Sequence, residues 1–136
     1  MYGGIEAGGT KFVCAVSDEG VIVEKISIPT TAPEETLKQV FDFFDQYELE
    51  AMGIGSFGPI GIDKSTDSYG YVLATPKKGW TNYNFLGSIK DHYDIPVAWT
   101  TDVNAAAYGE LLKGAAIGKK SCIYLTVGTG IGAGVV

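Results

Sequence analysis

Apolar and polar positions change rhythm several times along this chain, and each change predicts an element. Residues 2–7 and 11–17 are apolar stretches separated by Gly8-Gly9-Thr10, the pattern of two strands joined by a tight hairpin. Asp18-Glu19-Gly20 marks a second turn, and Val21 to Ile28 alternates Val and Ile with polar residues, as a third strand does. Leu37, Val40, Phe41 and Phe44 then fall at helical spacing. Thr31-Ala32-Pro33-Glu34 predicts that helix's start as a capping box, with Thr31 as the cap and Glu34 three residues on. Pro33 sits in the first turn, where its missing N–H costs nothing. Ala51 to Phe57 has the apolar content of a buried strand.

Residues 58–83 break this rhythm with a long Gly, Pro and polar segment. Loops of that length inside a compact domain are usually functional or disordered, and Tyr69, Tyr71 and Trp80 favour an ordered one. A short helix is predicted from near Asn84, a strand over Pro96 to Thr100, and an Ala/Leu-rich helix over Val103 to Lys113, ended by Gly114. Ser121 to Val127 is predicted as another buried strand. Gly128-Thr129-Gly130 is then a hairpin turn into Ile131 to Val136. Strand, Gly/Thr turn, strand thus occurs at both ends of the chain. The strands and helices that alternate between them predict an α/β architecture. The last residues lie within an apolar strand, so this is expected to be the first part of a longer protein.

Composition narrows the classes. At 136 residues, 46% hydrophobic and 19% charged, the chain suits one soluble domain with an apolar core. Its net charge is −6 and no Lys/Arg cluster exceeds two neighbours, which argues against a nucleic-acid partner. No apolar run reaches the roughly 18 residues of a membrane span. Met1 to Glu6 lacks the basic and apolar regions of a signal peptide, so a cytoplasmic location is expected. Cys14 and Cys122 are far apart, each in an apolar run, and are expected as buried thiols, with no disulfide framework or zinc knuckle. Glycine is the outlier, at 19 of 136, and the glycines bunch at a few places, which suggests turns and close backbone approach to a ligand.

Three glycine patterns carry candidate chemistry. Gly53-Ile54-Gly55-Ser56-Phe57-Gly58 fits G-x-G-x-x-G, but its first glycines lie in a strand and Pro59 follows, so no helix opens to receive a pyrophosphate. Gly114 to Ser121 superficially matches a P-loop, but its glycine spacing is one short and it precedes a strand. The third pattern is the pair of hairpins. Gly8, Gly9, Thr10 and Lys11 offer unobstructed backbone N–H groups, a hydroxyl and an ammonium, the parts needed to hold phosphoryl oxygens. Thr126, Gly128, Thr129 and Gly130 offer much the same. Either turn alone is explained as a glycine hairpin, but a threonine in both, with Lys11 beside one, tilts the pair toward phosphate binding.

Asp102 lies where a strand meets a helix. It suits the N-cap of that helix, and it equally suits a carboxylate at a strand's carboxyl end, able to accept a substrate hydroxyl proton during phosphoryl transfer. His92, the sole histidine, lies in the polar stretch Lys90-Asp91-His92-Tyr93 and is expected as a solvated helix end. Trp80 is either a packing residue or a flat face for a sugar.

Gly4-Ile5-Glu6-Ala7-Gly8-Gly9-Thr10-Lys11 resembles the first phosphate motif of the ROK kinases, members of the actin-like ATPase (ribonuclease H-like) superfamily. Thr101-Asp102-Val103-Asn104-Ala105-Ala106-Ala107-Tyr108-Gly109-Glu110 resembles their catalytic segment, and Leu125 to Gly132 their second phosphate motif. The three occur in the family's order and span the chain. Ser56 to Ile60 and Tyr69 to Trp80 are most similar to the bacterial fructokinases, and Glu6 stands where many ROK kinases carry Asp.

The resemblance implies a mixed sheet with flanking helices, forming the amino-terminal lobe (1–136) of a kinase that uses ATP and Mg²⁺. The substrate would be a hexose, with fructose ahead of mannose and glucose. Asp102 would be the general base and Asn104 a sugar or base-orienting contact. Gly58, Pro59, Gly79, Trp80 and Asn82 would line the sugar side. Gly8 to Lys11, with Thr126, Gly128, Thr129 and Gly130, would flank the triphosphate. A homodimer is also implied, as is a structural Zn²⁺ in a carboxyl-terminal lobe that would hold the adenine pocket. The isolated chain is therefore expected to be poorly active. Two rivals are weaker: a ROK-type repressor needs a DNA-binding domain before residue 4, and the 69–83 loop speaks against an actin-like ATPase without sugar chemistry. A silent sugar-binding module stays open for this chain.

Overall fold

Strands β1 (Tyr2–Ala7), β2 (Lys11–Asp18) and β3 (Val21–Pro29) form where the alternating pattern places them. The structure is a computed structural model that describes residues 1–136 except Thr129. Helix α1 (Pro33–Phe44), β4 (Ala51–Ser56), α2 (Phe85–His92), β5 (Val97–Thr101) and α3 (Asp102–Lys113) follow, then β6 (Ile123–Val127) and β7 (Ile131–Val135). The first five strands make one mixed sheet in the order β3-β2-β1-β4-β5. β1 runs antiparallel to β2 and parallel to β4, and β4 runs parallel to β5. The tight hairpin explains the first relation, and crossovers through α1 and α2 explain the parallel ones.

Alternation sets which face is buried. Ile5, Ala7, Phe12, Cys14, Val16, Met52 and Ile54 point to one side and pack into a core with Leu37, Val40 and Phe44 of α1 and Phe85 and Ile89 of α2. Burial pushes the Cys14 thiol up to about 12, so it stays protonated at neutral pH. Cys122 is only half-buried. α3 lies against the opposite face of the sheet. There Gly55 admits it: a Cβ on Gly55 would stand 2.7 Å from Ala105 Cβ and 3.4 Å from Asp102 Cα.

Several expectations are corrected. The capping box does not form: Ala32 is the N-cap of α1 and no side chain caps the helix. The buried Thr36 hydroxyl takes the neighbouring backbone instead, accepting from Thr31 N at 2.9 Å and donating to the Pro29 carbonyl at 3.2 Å. Its need for partners inside the core outweighs an exposed Glu34. The short helix expected from near Asn84 forms, and Asn84 is its N-cap, accepting from Gly87 N at 3.0 Å. The 58–83 segment is ordered by bridges from Ile60 to Val72, Gly61 to Tyr69 and Val72 to Tyr83, and Trp99 Nε1 donates to the Gly61 carbonyl at 2.9 Å.

β6 is not buried. Among the described residues it pairs only with β7, in a two-stranded sheet resting on α3, which leaves Leu125 63% and Val127 78% exposed. His92 stacks on Phe41, ring centroids 3.9 Å apart, and reaches the Asp45 carboxylate at 3.0 Å. The sole histidine thus clasps the ends of α1 and α2 together.

Candidate active site

The first hairpin closes with Gly8 N donating to the Lys11 carbonyl at 2.9 Å. Thr30, just past β3, braces it from behind. Its hydroxyl donates to the Gly8 carbonyl at 2.7 Å, and its N–H donates to the Thr10 carbonyl at 3.0 Å. Gly9, Thr10 and Lys11 remain exposed at the carboxyl end of β1. Beside them β4 ends: Phe57 N donates to the Ala7 carbonyl at 2.7 Å, and a cis Gly58–Pro59 bond follows. Gly9, Phe57 and Gly58 share a cavity of about 440 Å³ with Thr75, Pro76 and Lys77. The structure therefore brings the first glycine turn and the Gly58 loop to one place. It adds Thr75 and Lys77, which sequence reasoning missed; a lysine in a loop carries no local signal of what it faces. Thr30 was missed too, because its partners lie on other strands.

Trp80 is a correction. The expected sugar-lining ring is fully buried, packed against Phe12, Phe57, Tyr83 and Phe85 at centroid distances of 5.4–5.7 Å. Its Nε1 donates to the Thr31 carbonyl at 2.8 Å. No ring face is open, and packing is its role. Its neighbours Gly79 and Asn82 are exposed, and Gly79 abuts the Pro33 ring.

Thr101, not Asp102, caps α3, its hydroxyl accepting from Asn104 N at 3.1 Å. Asp102 is the first helical residue, half-buried, with Oδ1 accepting from Val103 N at 2.9 Å. The N-cap reading of Asp102 is corrected, because Thr101 holds that position, although one carboxylate oxygen of Asp102 still takes a first-turn N–H. Ser56 of β4 pairs with Thr101 of β5, so Gly58 and Asp102 leave neighbouring strands at the same end. The Asn104 side-chain oxygen accepts from Val135 N of β7 at 3.2 Å. Thr126, Gly128 and Gly130 are exposed on the second hairpin, where Gly128 N donates to the Gly130 carbonyl at 2.9 Å; Thr129 lies outside the described residues. Among the described residues, no group of three His, Cys, Asp or Glu side chains could hold a metal ion, and no helix is long and apolar enough to cross a membrane.

A mixed sheet carrying a glycine hairpin, with a carboxylate where the edge strand β5 meets its helix, matches a domain of the actin-like ATPase class. The chain belongs to the ROK family, whose description matches residues 2–136. It is 53% identical over its full length to the fructokinase of Pediococcus pentosaceus and 52% identical to that of Streptococcus mutans. It covers 48% and 47% of those proteins, so it spans about half the length of the curated relatives it matches. The structure superimposes on a ROK family glucokinase from Streptomyces griseus, crystallised with glucose and AMPPNP, with a TM-score of 0.81 at 30% identity. That match covers 99% of this chain and 44% of the other.

Proposed function

We propose that this chain is the amino-terminal lobe of an ATP-dependent hexose kinase that converts D-fructose to fructose 6-phosphate. The observation that carries the reading is Asp102: a half-buried carboxylate that is not the N-cap of its helix, at the same sheet end as the Gly8–Lys11 turn and the Gly58 loop. Relatives above 50% identity that are named fructokinases favour fructose over glucose.

In this reading the primary hydroxyl of the sugar attacks the γ-phosphorus of ATP. The bond from that phosphorus to the bridging oxygen breaks, ADP leaves, and the hydroxyl proton passes to the Asp102 carboxylate. The transition state of such transfers is loose, so an ordinary carboxylate suffices and most of the rate comes from positioning and charge. Gly8 to Lys11 cradle one side of the triphosphate and Thr126 to Gly130 the other. Gly58, Pro59, Gly79 and Asn82 border the sugar.

The oxygen donors present suit a magnesium ion held mainly by phosphates: Glu6 is exposed on β1, and Thr10 and Asp102 stand at the same sheet end. Bound there, Mg²⁺ neutralises charge on the phosphoryl oxygens. The implied structural zinc has no donor set among the described residues and is proposed for the remainder of the protein, as is the adenine pocket. A cytoplasmic homodimer completes the proposal.

The test is MgATP-dependent ADP release by the full-length protein with fructose, mannose and glucose. Fructose-stimulated turnover is expected, reduced about 10²–10⁴-fold by Asp102→Asn. Turnover indifferent to both sugar and Asp102 would sink the proposal.

A further inference from the structure

Asp102 must stand at a set distance from whatever the second hairpin holds, yet the two lie on different elements. Among the contacts that join them, three close ones lie at the first turn of α3. Asn104 Oδ1 accepts from Val135 N of β7 at 3.2 Å. Gly134 is buried against the backbone of the same turn, so close that a Cβ there would run into the Val103 carbonyl. At Gly132, a Cβ would stand 3.3 Å from Val103 Cγ1. Beyond this turn β6 and β7 are largely solvent-exposed, with Ile131 at 79% and Val135 at 64%.

From these contacts we infer that Asn104 is a positioning residue, which locks the second phosphate hairpin to the turn that carries Asp102. This rests on the proposed kinase reading and assigns Asn104 a role other than a sugar contact. The physical ground is that the other two of these contacts are made by glycines of β7. Gly132 and Gly134 let β7 come close but hold nothing, because they have no side chain to engage. The Asn104 oxygen is the polar tie: β7 runs at the edge of a two-stranded sheet, and its Val135 N–H meets a side chain where a ladder partner would stand. Thr101 capping Asn104 N fixes the same residue from its backbone side. Displacing the hairpin shifts the phosphoryl donor relative to Asp102 while leaving the sugar side, on the Gly58 loop, in place. A misplacement of about 1 Å can lower a rate by about 10²-fold.

The experiment uses Asn104→Leu and Asn104→Asp in the full-length protein. Leucine keeps the volume and removes the acceptor. Aspartate keeps the acceptor and removes the amide donors that a sugar contact would use. Expected for the leucine variant is a kcat lower by about 10-fold to 100-fold, a hexose KM little changed, and faster hydrogen exchange at residues 131–136. Aspartate is expected to restore the exchange protection and to stand several-fold above leucine in kcat. Unchanged kcat and exchange in Asn104→Leu would overturn the inference. So would a large rise in hexose KM with kcat held in both variants, which marks a sugar contact, or an Asn104→Asp no better than Asn104→Leu. If the unmodified protein shows no hexose-dependent turnover, the kinase proposal falls separately, and the exchange comparison alone decides whether Asn104 holds β7.

Discussion

The β1–β2 and β6–β7 hairpins are written in the same pattern, apolar strands around a Gly/Thr turn, yet they sit in opposite surroundings. β1 and β2 lie inside a five-stranded sheet, and Ala7, Phe12, Cys14 and Val16 are fully buried beneath two helices. Among the described residues β6 and β7 pair only with each other, and Ile123, Leu125, Val127 and Ile131 are all more than 60% exposed. The turns are also held differently. The first is braced by Thr30 on two of its carbonyls, whereas the second is anchored below its turn, through Asn104 and the close approach of Gly134. A strand's hydrophobic pattern thus states what it is able to bury. Whether it does so depends on the layers that arrive from elsewhere.

This contrast breaks most visibly at its strong side. Trp80→Ala removes the largest fully buried side chain of the core beneath the first hairpin and is expected to cost about 3–5 kcal/mol. Urea unfolding of this chain measures it, and a loss below about 1 kcal/mol would mean the ring is not a core element.

Next in size is Leu125→Ala on the second hairpin. Its cost should be within about 0.5 kcal/mol in this chain, where the side chain is exposed. In the full-length protein it should rise to about 2 kcal/mol or more, once further layers cover β6. Equal small effects in both would show that the second hairpin stays bare.

Thr30→Val tests the brace of the first turn. It removes the donor to the Gly8 carbonyl, with an expected cost of about 1 kcal/mol and faster hydrogen exchange across residues 8–11. Exchange unchanged there would assign the bracing to the Thr30 N–H alone.

The smallest effect is a pH dependence at the far end of the core. A hydrogen bond from the Tyr93 hydroxyl, with His92 adding to it, holds the Asp45 carboxyl below its ordinary value. A group depressed in the folded state stabilises above its unfolded pKa, and that gain fades as pH falls through the folded value, here below about pH 4. Asp45 is solvent-exposed, so the gain is small. Tyr93→Phe should flatten this acid limb in a stability-against-pH series, and an unaltered limb would remove Tyr93 as its cause.

Much of this molecule was legible in one dimension. The order of elements, the hairpins, a short helix starting near Asn84 and the strand-to-helix junction at Asp102 all follow from residue periodicity and turn chemistry, which act over a few neighbours. The motif order likewise pointed to the family. Partnerships across the chain were not legible. Trp80 reaches Thr31 across 49 residues and Asn104 reaches Val135 across 31. Those distances decided that the tryptophan is core and that the asparagine faces a strand, while the burial of Thr36, set by the packed layers, decided that it displaces the capping box. Local pattern determines which groups need a partner; only the packed chain decides which partner is near enough to satisfy them.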